Sequence, residues 1–303
     1  MSANNYLYGI DLGGTKIEGV VLEKDNPKQV VFRERIATEA EKGYEHVLQR
    51  IGQMIGLMEE KSGQQAENIG IGTPGAIDPH TGLLTNSNSV VLNHQPFLKD
   101  LKSLIGKEVQ LANDANCFAL AETRLGVVQE VNQHARVVFG VIIGTGVGGG
   151  IVVNGKVIDG HQGIAGEWGH NYLDKSGGKC YCGKTGCVET ILSGPALERY
   201  YQSLGGHKKK LKDIIETQAT DENAQKTLER LHHFFGKGLA SVINILDPEI
   251  IIIGGGVGNV KSLYDQGLKE VRKYVFNTRF DTVIVPPKLG DSAGVFGAAL
   301  LTA

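Results

Sequence analysis

No stretch of this sequence stays apolar long enough to cross a membrane. Its longest apolar runs, residues 250–253 among them, are strand-sized, whereas a spanning helix needs about 20 residues. Residues 1–8 lack a basic segment followed by an apolar one, so no secretory signal is expected and the chain is assigned to the cytoplasm. The formal charge is only -2, which gives no reason to expect a nucleic-acid or membrane surface. The one dense basic run, Lys208-Lys209-Lys210 with Lys212 nearby, reads as a solvated helix start. Cysteine is scarce, with four in 303 residues, and three of them fall between positions 180 and 187. In a reducing compartment, clustered thiols point to metal or catalysis before disulfides.

Glycine is abundant. The 42 glycines gather in tight clusters, as they do in turns that handle phosphate. Tyr6–Leu12 reads as a strand, Gly13-Gly14-Thr15-Lys16 as a turn, and residues 17–22 and 30–37 as two more strands. Val47, Ile51, Ile55 and Met58 carry helical spacing over residues 44–61. Short buried strands are expected at 69–72, stopped by Pro74-Gly75, and at 109–112. Asp114 then opens a helix to about residue 125, capped by Asn113 or Asp114.

A second round begins at residue 137. A strand over 137–143 meets a glycine turn over 144–150, and 151–153 returns. Asn154-Gly155 reads as a hairpin turn into a short strand at 156–159. Helices follow at 194–203 and 222–246, then a buried strand at 250–253. Gly254-Gly255-Gly256 leads into a helix, and residues 291–301 form a last helix of small side chains. The repeated strand–turn–strand units predict two similar domains facing each other across a cleft. With no linker rich in proline or serine to mark a boundary, the expected division is 1–118, with the terminal helix 291–303 returning to it, against 119–290.

The first glycine turn, Gly9 to Lys16, nearly spells a P-loop, but Thr15 stands where lysine is required and a strand follows instead of a helix. The second, Gly144-Thr145-Gly146-Val147-Gly148-Gly149, satisfies a dinucleotide fingerprint and fails for the same reason. What remains is a hairpin whose N–H groups and threonine hydroxyls face an anion. Asp11, just before the first turn, suits Mg²⁺. Asp114 could accept a proton from an attacking hydroxyl, with the helix dipole favouring its ionised form, or could simply cap the helix.

Residues 160–190 form a loop too long to be idle. It holds Glu167-Trp168-Gly169-His170, Cys180, Cys182, Cys187 and Glu189. One histidine and three thiolates make a closed set suited to structural Zn²⁺. A redox pair and unrelated cysteines are the other readings. Cys117 lies apart and reads as a buried small hydrophobe. Glu167 and Glu189 could grip vicinal sugar hydroxyls or merely face solvent.

In order along the chain, residues 11–16, 113–116, 144–146, 167–170 and 180–189 resemble the motifs of the ROK family of bacterial sugar kinases and repressors. The resemblance spans essentially the whole chain. It implies an α/β, two-domain ribonuclease-H-like fold, the actin/hexokinase architecture, with a zinc-stabilised loop. It implies an ATP-dependent hexose kinase and a homodimer. ATP would lie on Gly13, Gly14, Thr15, Lys16, Thr145, Gly146, Gly148, Gly149, Gly254, Gly255 and Gly256, with Mg²⁺ at Asp11. Zn²⁺ would sit on His170, Cys180, Cys182 and Cys187. Asp114 is the implied base, acting on a sugar hydroxyl, O6. Asn113, Glu167, His170 and Glu189 are the implied sugar ligands.

Residues 75–79, 86–89, 92–97 and 166–171 resemble fructokinases that also accept mannose. They implicate Gly75 and Asn88 in sugar binding and make D-fructose the expected acceptor. N-acetylglucosamine kinases are the rival within the family. Family repressors carry a DNA-binding segment before the first glycine turn, and here that turn starts at Gly9. A repressor is therefore not expected. A non-catalytic actin-like ATPase is opposed by the zinc loop and its carboxylates.

Overall fold

The computed structural model describes residues 5–87 and 89–303 and divides them into two compact units. The first comprises residues up to 131 together with 155–165 and 289–303, and the second comprises 132–154 and 166–288. The first unit thus runs past residue 118, because a division there would cut the helix Asp114–Arg124.

The first unit is built on a five-stranded sheet. Strand β1 (Tyr6–Leu12) pairs antiparallel with β2 (Lys16–Glu23), which pairs antiparallel with β3 (Val30–Ala37). After helix α1 (Tyr44–Ser62), β4 (Asn68–Thr73) lies parallel to β1. Helix α2 (Phe97–Ile105) precedes β5 (Glu108–Asn113), which is parallel to β4. Helix α3 (Asp114–Arg124) leaves directly from β5.

Alternation along β1 sorts its side chains. Tyr8, Ile10 and Leu12 enter a core with Ile51, Met54, Ile55 and Met58 of α1. Gly9 and Asp11 face the other side, where the helix Ala293–Leu300 packs. That helix lies directly on bare backbone: a Cβ on Gly9 would collide with Ala299, and one on Gly70 with the carbonyl oxygen of Ala298. Gly297 meets the Cys117 carbonyl of α3 in the same way. Glycine is needed here for close approach, not for unusual dihedrals.

The second unit repeats the scheme. Strand β6 (Val137–Ile143) forms a hairpin with β7 (Val147–Val153), and β8 (Ile250–Gly254) lies parallel to β6. A short β9 (Val283–Val285) pairs parallel with β8. Helices α4 (Gly194–Ser203), α5 (Glu222–Leu246) and α6 (Gln266–Tyr274) cover it, with Leu231, Phe235 and Leu239 of α5 in a core shared with Phe139, Val141 and Ile143.

Three expectations change. The second glycine turn is only Gly144 to Gly146, since Gly148 to Gly150 belong to β7. The strand at 156–159 shrinks to Lys156–Val157, after a turn in which Asn154 and Gly155 both take positive φ. The helix after Gly254 is a single turn, Gly255–Gly258. Helices α2 and α6 and strand β9 were not expected. Each is short: the two helices span nine residues apiece and the strand three, too few turns for a pattern to stand out from its surroundings.

The bare-backbone contact yields a paired test. Gly70→Ala should destabilise the protein by about 1–3 kcal/mol through overpacking. Gly56→Ala, on α1 with open space around its Cα, should stabilise it by up to about 1 kcal/mol. Denaturant unfolding of both variants measures the difference, and equal effects would show that the close approach does not matter.

Candidate active site

In the first unit the candidate residues gather at one edge of the sheet. Strands β1, β4 and β5 run parallel in register, Asp11 opposite Gly72 and Thr73 opposite Asn113. The turn Gly13 to Lys16, Gly75 and Asp114 therefore follow from the same carboxyl ends, where open α/β sheets bind ligands. Gly13 N–H donates to the Lys16 carbonyl at 2.9 Å, and Thr38 Oγ1 donates to the Gly13 carbonyl at 2.7 Å, bracing the turn. Gly14, Thr15 and Lys16 are exposed at its tip. Gly75, at φ 85°, turns against the backbone of Thr85 and Ser87. Asn88 lies outside the described residues.

The Asp11 carboxylate rests on Gly294, whose absent Cβ would sit 3.2 Å from Oδ2. Desolvation and then the nearby Asp114 charge push its pKa up to about 6. Asn113 is the helix cap: its Oδ1 accepts from Asn116 N–H at 2.9 Å. Asp114 is thereby released from capping, and its Oδ1 accepts from Ala115 N–H at 2.8 Å. The Asp114 carboxyl is reachable by solvent yet ringed by protein. That desolvation outweighs the helix N-terminus, so its pKa is raised, against the expectation that the dipole would lower it. Cys117 is fully buried, and its thiol is held protonated by burial beside Asp11 and Asp114.

In the second unit, β6 and β8 also end together, with Ile142 opposite Gly254. The turn Gly144 to Gly146 and the run Gly254-Gly255-Gly256 thus lie side by side, with Gly255 at φ 81° against the Ile143 carbonyl. Thr145 and Gly146 are exposed. Gly148 faces Ile142 across the ladder, and Gly149 is buried beneath the Gly166 backbone. That bare contact seats the segment carrying Glu167 and His170 on β7. Glu189 Oε2 accepts from Val147 N–H at 2.9 Å, which ties the turn to the end of the cysteine loop.

His170, Cys180, Cys182 and Cys187 bring their donor atoms within 4.8 Å of one another. A tetrahedral Zn²⁺ with Zn–S bonds of ~2.3 Å requires sulfur–sulfur edges of about 3.8 Å. Cys182 Sγ and Cys187 Sγ stand 3.6 Å apart, as do Cys180 Sγ and His170 Nδ1. The donor set fits zinc and leaves no open position for substrate chemistry. With Nδ1 facing the thiols, His170 Nε2 points away and meets the Tyr181 hydroxyl at 2.9 Å.

Residues 7–303 match the ROK family. The chain belongs to the ROK family. It is 38% identical over 97% of its length to an N-acetyl-D-glucosamine kinase of Histophilus somni, covering 98% of that protein. A second such kinase, from Mannheimia succiniciproducens, is 37% identical with the same coverage of both chains. Among solved structures, a ROK hexokinase from Thermus thermophilus superposes with a TM-score of 0.87 at 33% identity, covering 98% of this chain and 97% of that one. A ROK family glucokinase from Streptomyces griseus, solved with glucose and AMPPNP, gives 0.75 at 30% identity and 98% coverage of each. This ROK protein is an ATP-dependent sugar kinase with the two-domain, actin-like α/β fold. Among the described residues no helix is long and apolar enough to cross a membrane.

Two residues escaped the sequence reading. Gly294 forms the floor under Asp11, and only the small-residue character of the last helix hinted at it. Tyr181 lies between two metal-binding cysteines, and its proximity to His170 arises only when the loop closes.

The Asp11 environment carries a stability consequence. A carboxyl raised from 3.8 to about 6 in the folded state costs stability above pH 6 that it does not cost below pH ~4. Without nucleotide or Mg²⁺, Asp11→Asn should raise the Tm at pH 8 by about 2–4 °C. The gain should vanish as pH falls from 6 to 4. A pH-independent change in Tm would show that the carboxylate is not strained.

The metal centre predicts about one Zn²⁺ per chain by elemental analysis. Cys182→Ala should lose zinc and thermal stability together, since the metal is part of the folded state. Full zinc content in that variant would remove Cys182 from the donor set.

Proposed function

We propose that this ROK kinase transfers the γ-phosphate of ATP to O6 of N-acetyl-D-glucosamine. The observation that carries the choice of sugar is the match, at 38% and 37% identity along 97% of the chain, to kinases of that name. D-fructose, expected from the resemblance at residues 75–79, 86–89, 92–97 and 166–171, becomes the second reading.

The side chains divide the work. Asp114 is the base. It is freed from capping by Asn113, and the protein around its carboxyl raises its pKa above the ordinary carboxylate value, which strengthens it as a base. Asn113, Glu167, His170 and Glu189 bind the sugar hydroxyls, with Gly75 and Asn88 beside them. Backbone N–H groups of Gly13, Gly14, Gly146 and Gly254 to Gly256 receive nucleotide, with Thr15, Lys16 and Thr145 supplying hydroxyls and a cation. Gly148 and Gly149 support the second turn from within β7. Asp11 is placed to hold the Mg²⁺ that accompanies ATP, which neutralises charge on the transferring phosphoryl group. Zn²⁺ fixes His170 and, through the Cys187–Glu189 segment, the Glu189 brace. A cytoplasmic homodimer belongs to the same reading.

One experiment tests sugar and base together. ADP release is measured for N-acetyl-D-glucosamine, D-fructose, D-mannose and D-glucose, with the wild type and Asp114→Asn. The first sugar should show the highest kcat/KM, and the variant should lose a factor on the order of 10²–10⁴ in kcat with sugar affinity little changed. A higher kcat/KM for fructose would restore the second reading. A folded variant with near-normal kcat would remove Asp114 as base.

A further inference from the structure

We propose that Tyr181 is an affinity-setting latch: its hydroxyl occupies the His170 Nε2 site that a sugar hydroxyl must take, and it releases His170 when sugar binds. The proposal rests on the assignment of His170 as a sugar ligand.

The argument starts from the imidazole. His170 Nδ1 faces the thiols, 3.6 Å from Cys180 Sγ, so only Nε2 is left for another partner. A ring nitrogen offers a single in-plane donor or acceptor direction, so it makes one strong hydrogen bond at a time. That bond is already made, at 2.9 Å, to the Tyr181 hydroxyl. The two rings meet edge to face, with centroids 5.1 Å apart and an interplanar angle of 89°. A sugar hydroxyl and Tyr181 therefore exclude each other at Nε2.

Tyr181 is also free to leave. Its neighbours Cys180 and Cys182 are anchored by the metal cluster, yet its own side chain is 77% exposed. Release costs one hydrogen bond and a rotation of χ1, with no change in backbone. The side chain borders a cavity of about 550 Å³ in the second unit, also lined by Thr145, Glu189 and Arg199. Glu189 is a proposed sugar ligand, so the latch stands at the sugar position and not at a remote surface. A contact that must break before binding lowers apparent affinity by the fraction of molecules already open.

The latch makes a split prediction. Tyr181→Phe removes the hydroxyl and keeps the ring. The KM for sugar should fall roughly 2- to 10-fold, the worth of one exchanged hydrogen bond, while kcat moves less than about twofold. Zinc content and Tm, measured on the same preparation, verify that the metal loop is intact. An unchanged or raised KM overturns the latch. A second measurement avoids substitution at the hydroxyl: 3-fluorotyrosine placed at position 181 of the full chain, observed by ¹⁹F NMR without ATP. Its resonance should shift on saturation with N-acetyl-D-glucosamine or D-fructose, whichever binds more tightly by calorimetry. If sugar binds and the resonance does not move, the latch falls and the sugar site stands. If neither sugar binds, both fall.

Discussion

Helix Ala293–Leu300 can lie on its sheet only because Gly9 and Gly70 carry no side chain. The contact is backbone against backbone, and most of the first unit depends on it. It brings Gly294 under the Asp11 carboxylate and Gly297 against the Cys117 carbonyl. Cys117 in turn fills the space over Gly72, with Sγ 3.1 Å from where a Cβ would be. Asp11 is thus held in a poorly solvated seat between the bare backbone of Gly294 and the buried Cys117 side chain. A seat of bare backbone and one buried thiol has little freedom to rearrange, so the carboxylate is preorganised at the cost of its own solvation. The second unit uses the same device once more, where Gly149 and Gly166 touch and carry Glu167 and His170 onto β7.

Much of this was legible in the sequence. Strands β1, β3 and β6 and helices α4 and α5 begin and end where alternation and glycine punctuation placed them, because each has a strong period and a clear stop. The cluster of His170, Cys180, Cys182 and Cys187 was legible because three of only four cysteines fall within eight residues. The extent of the second glycine turn was not legible. Sequence shows that Gly148 to Gly150 lack side chains, but a turn and a covered strand both call for that, and only the packing of Gly166 decides between them. The capping of α3 was ambiguous for a similar reason: adjacent Asn113 and Asp114 are both good caps, and geometry chose the first. The raised Asp114 pKa was not legible, because the dipole follows from position in a helix, whereas the protein that crowds the carboxyl follows from the fold.

The metal loop and the second phosphate turn are one mechanical piece. Cys187 belongs to the cluster that could hold zinc, and Glu189, two residues on, accepts from Val147 N–H at the exit of the turn. Ser193 follows as the cap of α4, and Gly194 N–H reaches back to the Gly144 carbonyl at the entrance, 2.9 Å away. The turn is therefore gripped at both ends by the segment that begins at the cysteine cluster. A zinc ion held there would steady this turn as well as His170, so a metal that performs no chemistry could still govern it.

The last helix completes the first unit although it is made last. The helix Ala293–Leu300 follows the last residue of the second unit, 288, by only a few positions. Until then β1 and β4 expose a strip of bare backbone at Gly9 and Gly70, with no partner from that helix. Domains usually fold from the amino terminus as they emerge. Here the core formed with helix Tyr44–Ser62 can assemble early on one face of the sheet, while the other face stays uncovered until the final helix arrives. That open strip is the surface that a chaperone would need to shield.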